Sequence, residues 1–110
     1  MLEEHKSIPY LKVGTNKPTR YYTNLLGNRL KKNHEAAVQA LGTAITMALN
    51  VANMARDKGF AEVVKLFTDT VEVDGRPVSR VTIVLARTFE FREAFKDFQA
   101  SVAPQQPLKS

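Results

Sequence analysis

The sequence predicts a small two-layer α/β sandwich of the α+β kind. Its elements follow the order β-α-β-α-β-β, with a long β-hairpin and an additional C-terminal helix. Three observations carry this prediction. Apolar residues recur at helical spacing in three separate segments, and runs rich in Val, Thr, Ile, Leu and Phe flank a turn at Asp74-Gly75-Arg76-Pro77. The third observation is length: 110 residues, 44% of them hydrophobic, suit a single core and leave no room for a second.

The first strand is expected over Ile8 to Val13, with Ile8, Leu11 and Val13 on its buried side. Gly14-Thr15-Asn16-Lys17-Pro18 breaks it, and Pro18 suits the first turn of a helix, where its missing N–H costs nothing. In that helix Tyr22, Leu25, Leu26 and Leu30 form an apolar stripe, while Arg20, Asn24, Gly27 and Lys31 take the other side. Lys31, Lys32 and Asn33 close it, since cations are favoured at a helix C-terminus. Glu35 to Leu41 is expected as a short strand. Gly42-Thr43 then opens a second helix that stops at Gly59.

Nine of the 12 residues from Ala44 to Ala55 are apolar, so only a narrow face at Thr46, Asn50 and Asn53 suits water. Such a helix needs cover on two sides, and a homodimer is one way to supply it. Glu62 to Val73 and Val78 to Thr88 are the arms of the hairpin, long enough for its tip to project. Beyond them Phe91, Phe95, Phe98 and Val102 give a third, amphipathic helix. The expected layout is a flexible leader over residues 1–7, one domain over 8–103 and a disordered tail over 104–110.

The formal charge of +5 is unevenly placed. From His5 to His34 there are seven basic residues and no acid, and all three tyrosines, Tyr10, Tyr21 and Tyr22, lie in the same stretch. Interleaved cations and aromatic rings suit a nucleic-acid strand, the cations for phosphates and the rings for unpaired bases. The alternative use of a tyrosine, as a core ring with a wet hydroxyl, competes with stacking at each position. Lys17, beside a helix N-terminus, is placed to contact a phosphate.

Catalytic chemistry finds little support. The chain lacks cysteine, and a serine triad would have to take its base from His5 or His34. No carboxylate pair is spaced for acid and base roles, and the Gly14 to Pro18 loop lacks the P-loop pattern. The reading is therefore of a non-enzyme with no cofactor and no structural metal. The longest nearly apolar stretch is 12 residues, against the ~20 of a spanning helix, and Glu3 and Glu4 argue against a signal peptide. No membrane association is expected, and a cytoplasmic or nuclear location is.

Three segments, in order and with matching spacing, resemble the Alba family of nucleic-acid-binding proteins in its eukaryotic form. They are Thr15-Asn16-Lys17-Pro18 entering a helix with Tyr21-Tyr22, the turn from Ala40 to Ile45, and the hairpin from Thr68 to Pro77. The resemblance runs from about Ile8 to Arg87. It implies a dimer that binds DNA or RNA, with the lysine loop on the phosphate backbone and the hairpins reaching along the duplex. Lys17 matches the second lysine of the family's paired-lysine loop, whose acetylation is associated in archaea with weaker binding, and Asn16 replaces the first. Leu41 and Thr43 are neutral where archaeal members are basic, which places RNA ahead of DNA as the expected ligand.

The resulting expected site comprises Lys12, Asn16, Lys17, Arg20, Tyr21, Tyr22, Asn24, Arg76 and Arg80. Lys17, Arg20 and Arg76 hold phosphates, Lys12 and Arg80 add positive field, and Tyr21 or Tyr22 stacks. A second reading makes the chain an assembly subunit similar to the Alba-type proteins of ribonuclease P and MRP, pairing with a different Alba-like chain.

Overall fold

The computed structural model describes residues 8–102, so the expectations for the leader and the tail lie outside the described residues. The elements are β1 (Tyr10–Lys12), α1 (Thr19–Lys32), β2 (Glu35–Leu41), α2 (Ile45–Asp57), β3 (Ala61–Val73), β4 (Arg76–Arg87) and α3 (Phe91–Val102), with one 3-10 turn at Gly42–Ala44 before α2. The strands form one sheet in the order β1-β2-β4-β3, in which β1 and β2 are parallel and the other pairs antiparallel. This is the predicted mixed sandwich.

The first strand is shorter than expected as a regular element. Its ladder nevertheless continues at both ends, since the Ala37 N–H donates to the Pro9 carbonyl at 2.9 Å and the Val13 N–H to the Gln39 carbonyl at 3.0 Å. Strand β2 is alanine-rich because it is a central strand buried on both faces: Ala36, Ala37, Val38 and Ala40 are all inaccessible. Ala36, Val38 and Ala40 join Val81, Ile83 and Leu85 of β4 in the core beneath α1 and α2. Small side chains there let the helices lie close, with Ala48, Val51, Ala52 and Ala55 of α2 meeting them.

The hairpin turn is tighter than the sequence reading placed it. Asp74 (φ 52°) and Gly75 (φ 78°) alone make the turn, and Arg76 and Pro77 already belong to β4. Two successive positive-φ residues match the twist of the flanking strands. Pro77 is tolerated because β2 pairs with β4 only from Arg80 to Ala86, which leaves the other edge of β4 free near the tip. The four rungs from Thr70↔Ser79 to Val73↔Arg76 therefore stand clear of the sheet, a projection of roughly 13 Å.

Helix α3 closes the opposite end around Phe60, which is fully buried. Its ring centroid lies 6.0, 5.0 and 5.5 Å from those of Phe91, Phe95 and Phe98. Gly27 corrects the expected wheel of α1: it is buried, not on the polar side. A Cβ at that position would stand 2.0 Å from Cε1 of Phe95, so only glycine admits the α3 ring against α1. Arg87 secures the same junction, its guanidinium donating to the carbonyls of Leu30 at 2.9 Å and Lys31 at 3.3 Å, at the end of α1 where acceptors lack helical partners.

Gly27→Ala tests this junction. Relocating the wedged Phe95 ring falls at the upper end of the about 1–3 kcal/mol that overpacking costs, against a helix-propensity gain of about 1 kcal/mol. The expected outcome is a lower thermal midpoint with α3 loosened, read by thermal denaturation and amide exchange.

Candidate nucleic-acid interface

The sheet topology gathers most of the expected site at one end of the domain. Strand β1 is parallel to β2, and β2 ends at Leu41 opposite Arg80, where the hairpin leaves the sheet. The loop after β1, the turn after β2 and the root of the hairpin thus share one edge. Lys12 and Arg80 line a common groove of about 290 Å³ there, together with Gln39 and Leu41.

The lysine loop is held by a tyrosine. The ring of Tyr22 is only 7% exposed and belongs to the core, and its hydroxyl accepts a hydrogen bond from the Gly14 N–H at 3.1 Å. This corrects the expectation that Tyr22 could stack on a base, because its faces are occupied by protein. Tyr22 instead anchors the start of the loop from inside. Tyr21 is 44% exposed, and the Lys17 ammonium sits 5.1 Å from its ring centroid, a cation–π arrangement that orients the lysine without neutralising it. Asn16 and Lys17 are exposed in the loop and Arg20 in the first turn of α1.

Electrostatically this end of α1 favours an anion. Pro18 occupies the N-cap position, no side chain caps the helix, and no acid lies in its first turn. The N–H groups and the positive end of the helix dipole are left beside Lys17 and Arg20.

The hairpin cations differ from each other. Arg76 is exposed just past the turn. Arg80 is held by Asp69, its Nε donating to one carboxylate oxygen at 2.9 Å and its Nη2 to the other. That hydrogen bond holds the Asp69 carboxyl below its ordinary pKa of 3.8 and raises Arg80 above its own. Because the carboxyl pKa is lowered, whatever the exposed pair contributes is present above the ordinary carboxylate range and is lost as pH falls through the lowered value. At neutral pH Arg80 is thus locally compensated, and Lys12, Lys17, Arg20 and Arg76 carry the uncompensated charge.

Asn24 stands apart from this end, one turn further along α1, where its Oδ1 accepts from Gln99 Nε2 of α3 at 3.3 Å. The Asp69 pairing was missed in the sequence although a signal for it exists. A two-residue turn at Asp74-Gly75 places Asp69 directly across from Arg80. Among the described residues no group of three or more His, Cys, Asp and Glu side chains could hold a metal ion, and no helix is long and apolar enough to cross a membrane.

The fold and the arrangement at its end define a class, the β-α-β-α-β-β sandwich with a helix-entry lysine loop and a projecting hairpin. The chain has the Alba-like fold. It superimposes on ALBA1 from Trypanosoma brucei with a TM-score of 0.75 and 26% identity, over 88% of this chain and 84% of that one. It matches Alba from Thermoplasma volcanium with a TM-score of 0.64 and 28% identity, over 71% of this chain and 99% of the archaeal one. An uncharacterized protein of Arabidopsis thaliana is 32% identical over 72% of this chain, which spans 65% of the length of that relative. No family model matches the sequence.

Tyr22→Phe removes the acceptor that holds the loop. The expected loss is about 1 kcal/mol of stability. Faster exchange confined to the amides around Gly14 would accompany it, and unchanged exchange there would count against the anchoring role.

Proposed function

We propose that this chain is a non-enzymatic nucleic-acid-binding protein that acts as a dimer, with RNA ahead of DNA as its ligand. The observation that carries the reading is the Lys17 loop. A lysine stacked on an exposed tyrosine stands at an uncapped, acid-free helix start, and the loop is anchored from the core by Tyr22. Its place on the same edge as the projecting hairpin supports a single surface, on which Lys17, Arg20 and Arg76 meet phosphates while Tyr21 offers a ring face. Likeness to Alba proteins supports the same reading.

The dimer is supported by a surface the monomer leaves open. Helix α2 is covered by the sheet and α1 on one side, yet Leu49 on its other side is 39% exposed. On the same face of the neighbouring edge strand Val63 and Leu66 are 42% and 49% exposed. Exposed apolar side chains grouped in this way mark an association surface. The same observation favours the second reading, an assembly subunit of a ribonucleoprotein such as ribonuclease P or MRP, in which a different Alba-like chain covers this face.

If two subunits together make ~6–10 phosphate contacts, affinity falls by roughly 10³ to 10⁵ between 50 and 200 mM salt. Lys17→Ala combined with Arg76→Ala weakens binding with the fold intact, as measured by fluorescence anisotropy and circular dichroism. Salt-insensitive binding, or binding indifferent to both substitutions, would sink the site. For the dimer, Leu49→Glu with Leu66→Glu is expected to shift the sedimentation coefficient from that of a dimer to that of a monomer. A wild-type chain that sediments as a monomer and dimerises only with an Alba-like partner supports the second reading instead.

A further inference from the structure

The cationic side of α1 continues past the Lys17 loop. At 100° per residue Arg20, Asn24 and Lys31 fall on one line along the helix, and the stretch that contains them has no acid. Helix α3 lies antiparallel across that line, because Gly27, at the same angular position between Asn24 and Lys31, is buried beneath Phe95. Phe95 packs at Gly27, Gln99 bonds to Asn24, and the Lys31 ammonium lies 5.7 Å from the Phe95 ring centroid.

Between the two helices runs an open groove of about 460 Å³ that four cations line: Lys31, Arg87, Arg92 and Lys96, with Gln99 at its edge. On α3 the residues Arg92, Lys96 and Gln99 share one stripe at i, i+4 and i+7, while Glu93 and Asp97 fall on another and do not line the groove. None of the four cations has a carboxylate within ion-pair distance among the described residues. The Arg87 side chain bonds there to the backbone carbonyls of Leu30 and Lys31 and to no carboxylate.

We infer that this groove is a second phosphodiester-backbone site, at the other end of α1 from the Lys17 site. The inference rests on the nucleic-acid reading above and extends it to the far end of the molecule. The 14-residue helix is about 21 Å long, the rise of about six phosphates of one duplex strand. Asn24 and Gln99 lie between the two cation clusters as uncharged donors for phosphate or sugar oxygens. The chemistry selected is a run of regularly spaced anions, because four cations in one open groove repel each other unless several negative charges lie among them.

The test is fluorescence anisotropy with RNA and DNA strands of 24 and 6 nucleotides, from 50 to 200 mM salt. Arg92→Gln with Lys96→Gln alters two exposed side chains, and thermal denaturation checks the fold. The expected result is about tenfold weaker binding of the 24-mers and a salt slope shallower by about two per chain, with the 6-mers, which span both sites only when aligned along the whole of α1, weakened less. Arg92→Lys with Lys96→Arg keeps the charge and should keep the binding, whereas Lys17→Ala should weaken both lengths. If Lys17→Ala weakens binding while the glutamine pair leaves affinity and slope on the 24-mers unchanged, the groove is no backbone site and the Lys17 reading stands. If the glutamine pair abolishes only binding to polyglutamate, the groove belongs to an acidic peptide and the inference is overturned. A wild-type chain that binds no nucleic acid of either length removes the function reading itself, and this inference with it.

Discussion

The register of the β3–β4 ladder is the constraint on which most of this structure depends. Asp74 and Gly75 both take positive φ, and a two-residue turn fixes the pairing of every rung from Val73↔Arg76 to Lys65↔Val84, beyond which a bulge at Val64 shifts it by one. Because side chains alternate across a strand, that pairing sends Val81, Ile83 and Leu85 to the face where α1 and α2 pack. It also turns Arg80, Thr82 and Val84 to the other face. A slip of one residue would invert the core of the central strand. The same register sets Asp69 against Arg80, so a turn at the tip decides the local charge at the root of the hairpin.

A second constraint is the use of small residues where backbones or rings must approach. Alanines in β2 and α2 bring helix and sheet together, and Gly27 admits Phe95 so that α3 can lie along α1. The aromatic cluster around Phe60 then closes the end of the core opposite the hairpin. Placing α3 there brings Arg92 and Lys96 beside Lys31 and Arg87. Packing that stabilises the domain therefore also assembles a charged surface from segments about 60 residues apart in the chain.

Much of the architecture was legible in the chain itself. Helical spacing in three segments marked the three helices, and the glycine and proline signals marked the breaks between them. The strand at Glu35 to Leu41 was read at its observed bounds despite its alanines. The limits of the hairpin were less legible, since Arg76-Pro77 reads as turn chemistry and becomes strand only because that edge of β4 has no neighbour. Gly27 was misplaced because glycine carries no hydropathy that would reveal burial; the nearby Phe95 ring is what gives its position meaning.

The expected site was legible in kind and uneven in detail. Lys17, Arg20 and Tyr21 stand exposed near one another because they are adjacent in sequence at a helix start, and local geometry suffices to place them. Tyr22 follows Tyr21 in sequence, yet 100° of helical rotation puts it in the core. The sequence by itself determined the order of elements, the acid-free basic stretch and the hairpin turn, because each is a matter of local spacing and backbone preference. Only the tertiary structure decided which tyrosine is buried, which arginine is neutralised and which distant cations share a groove. Those outcomes depend on what each side chain meets across space, and local spacing does not determine that.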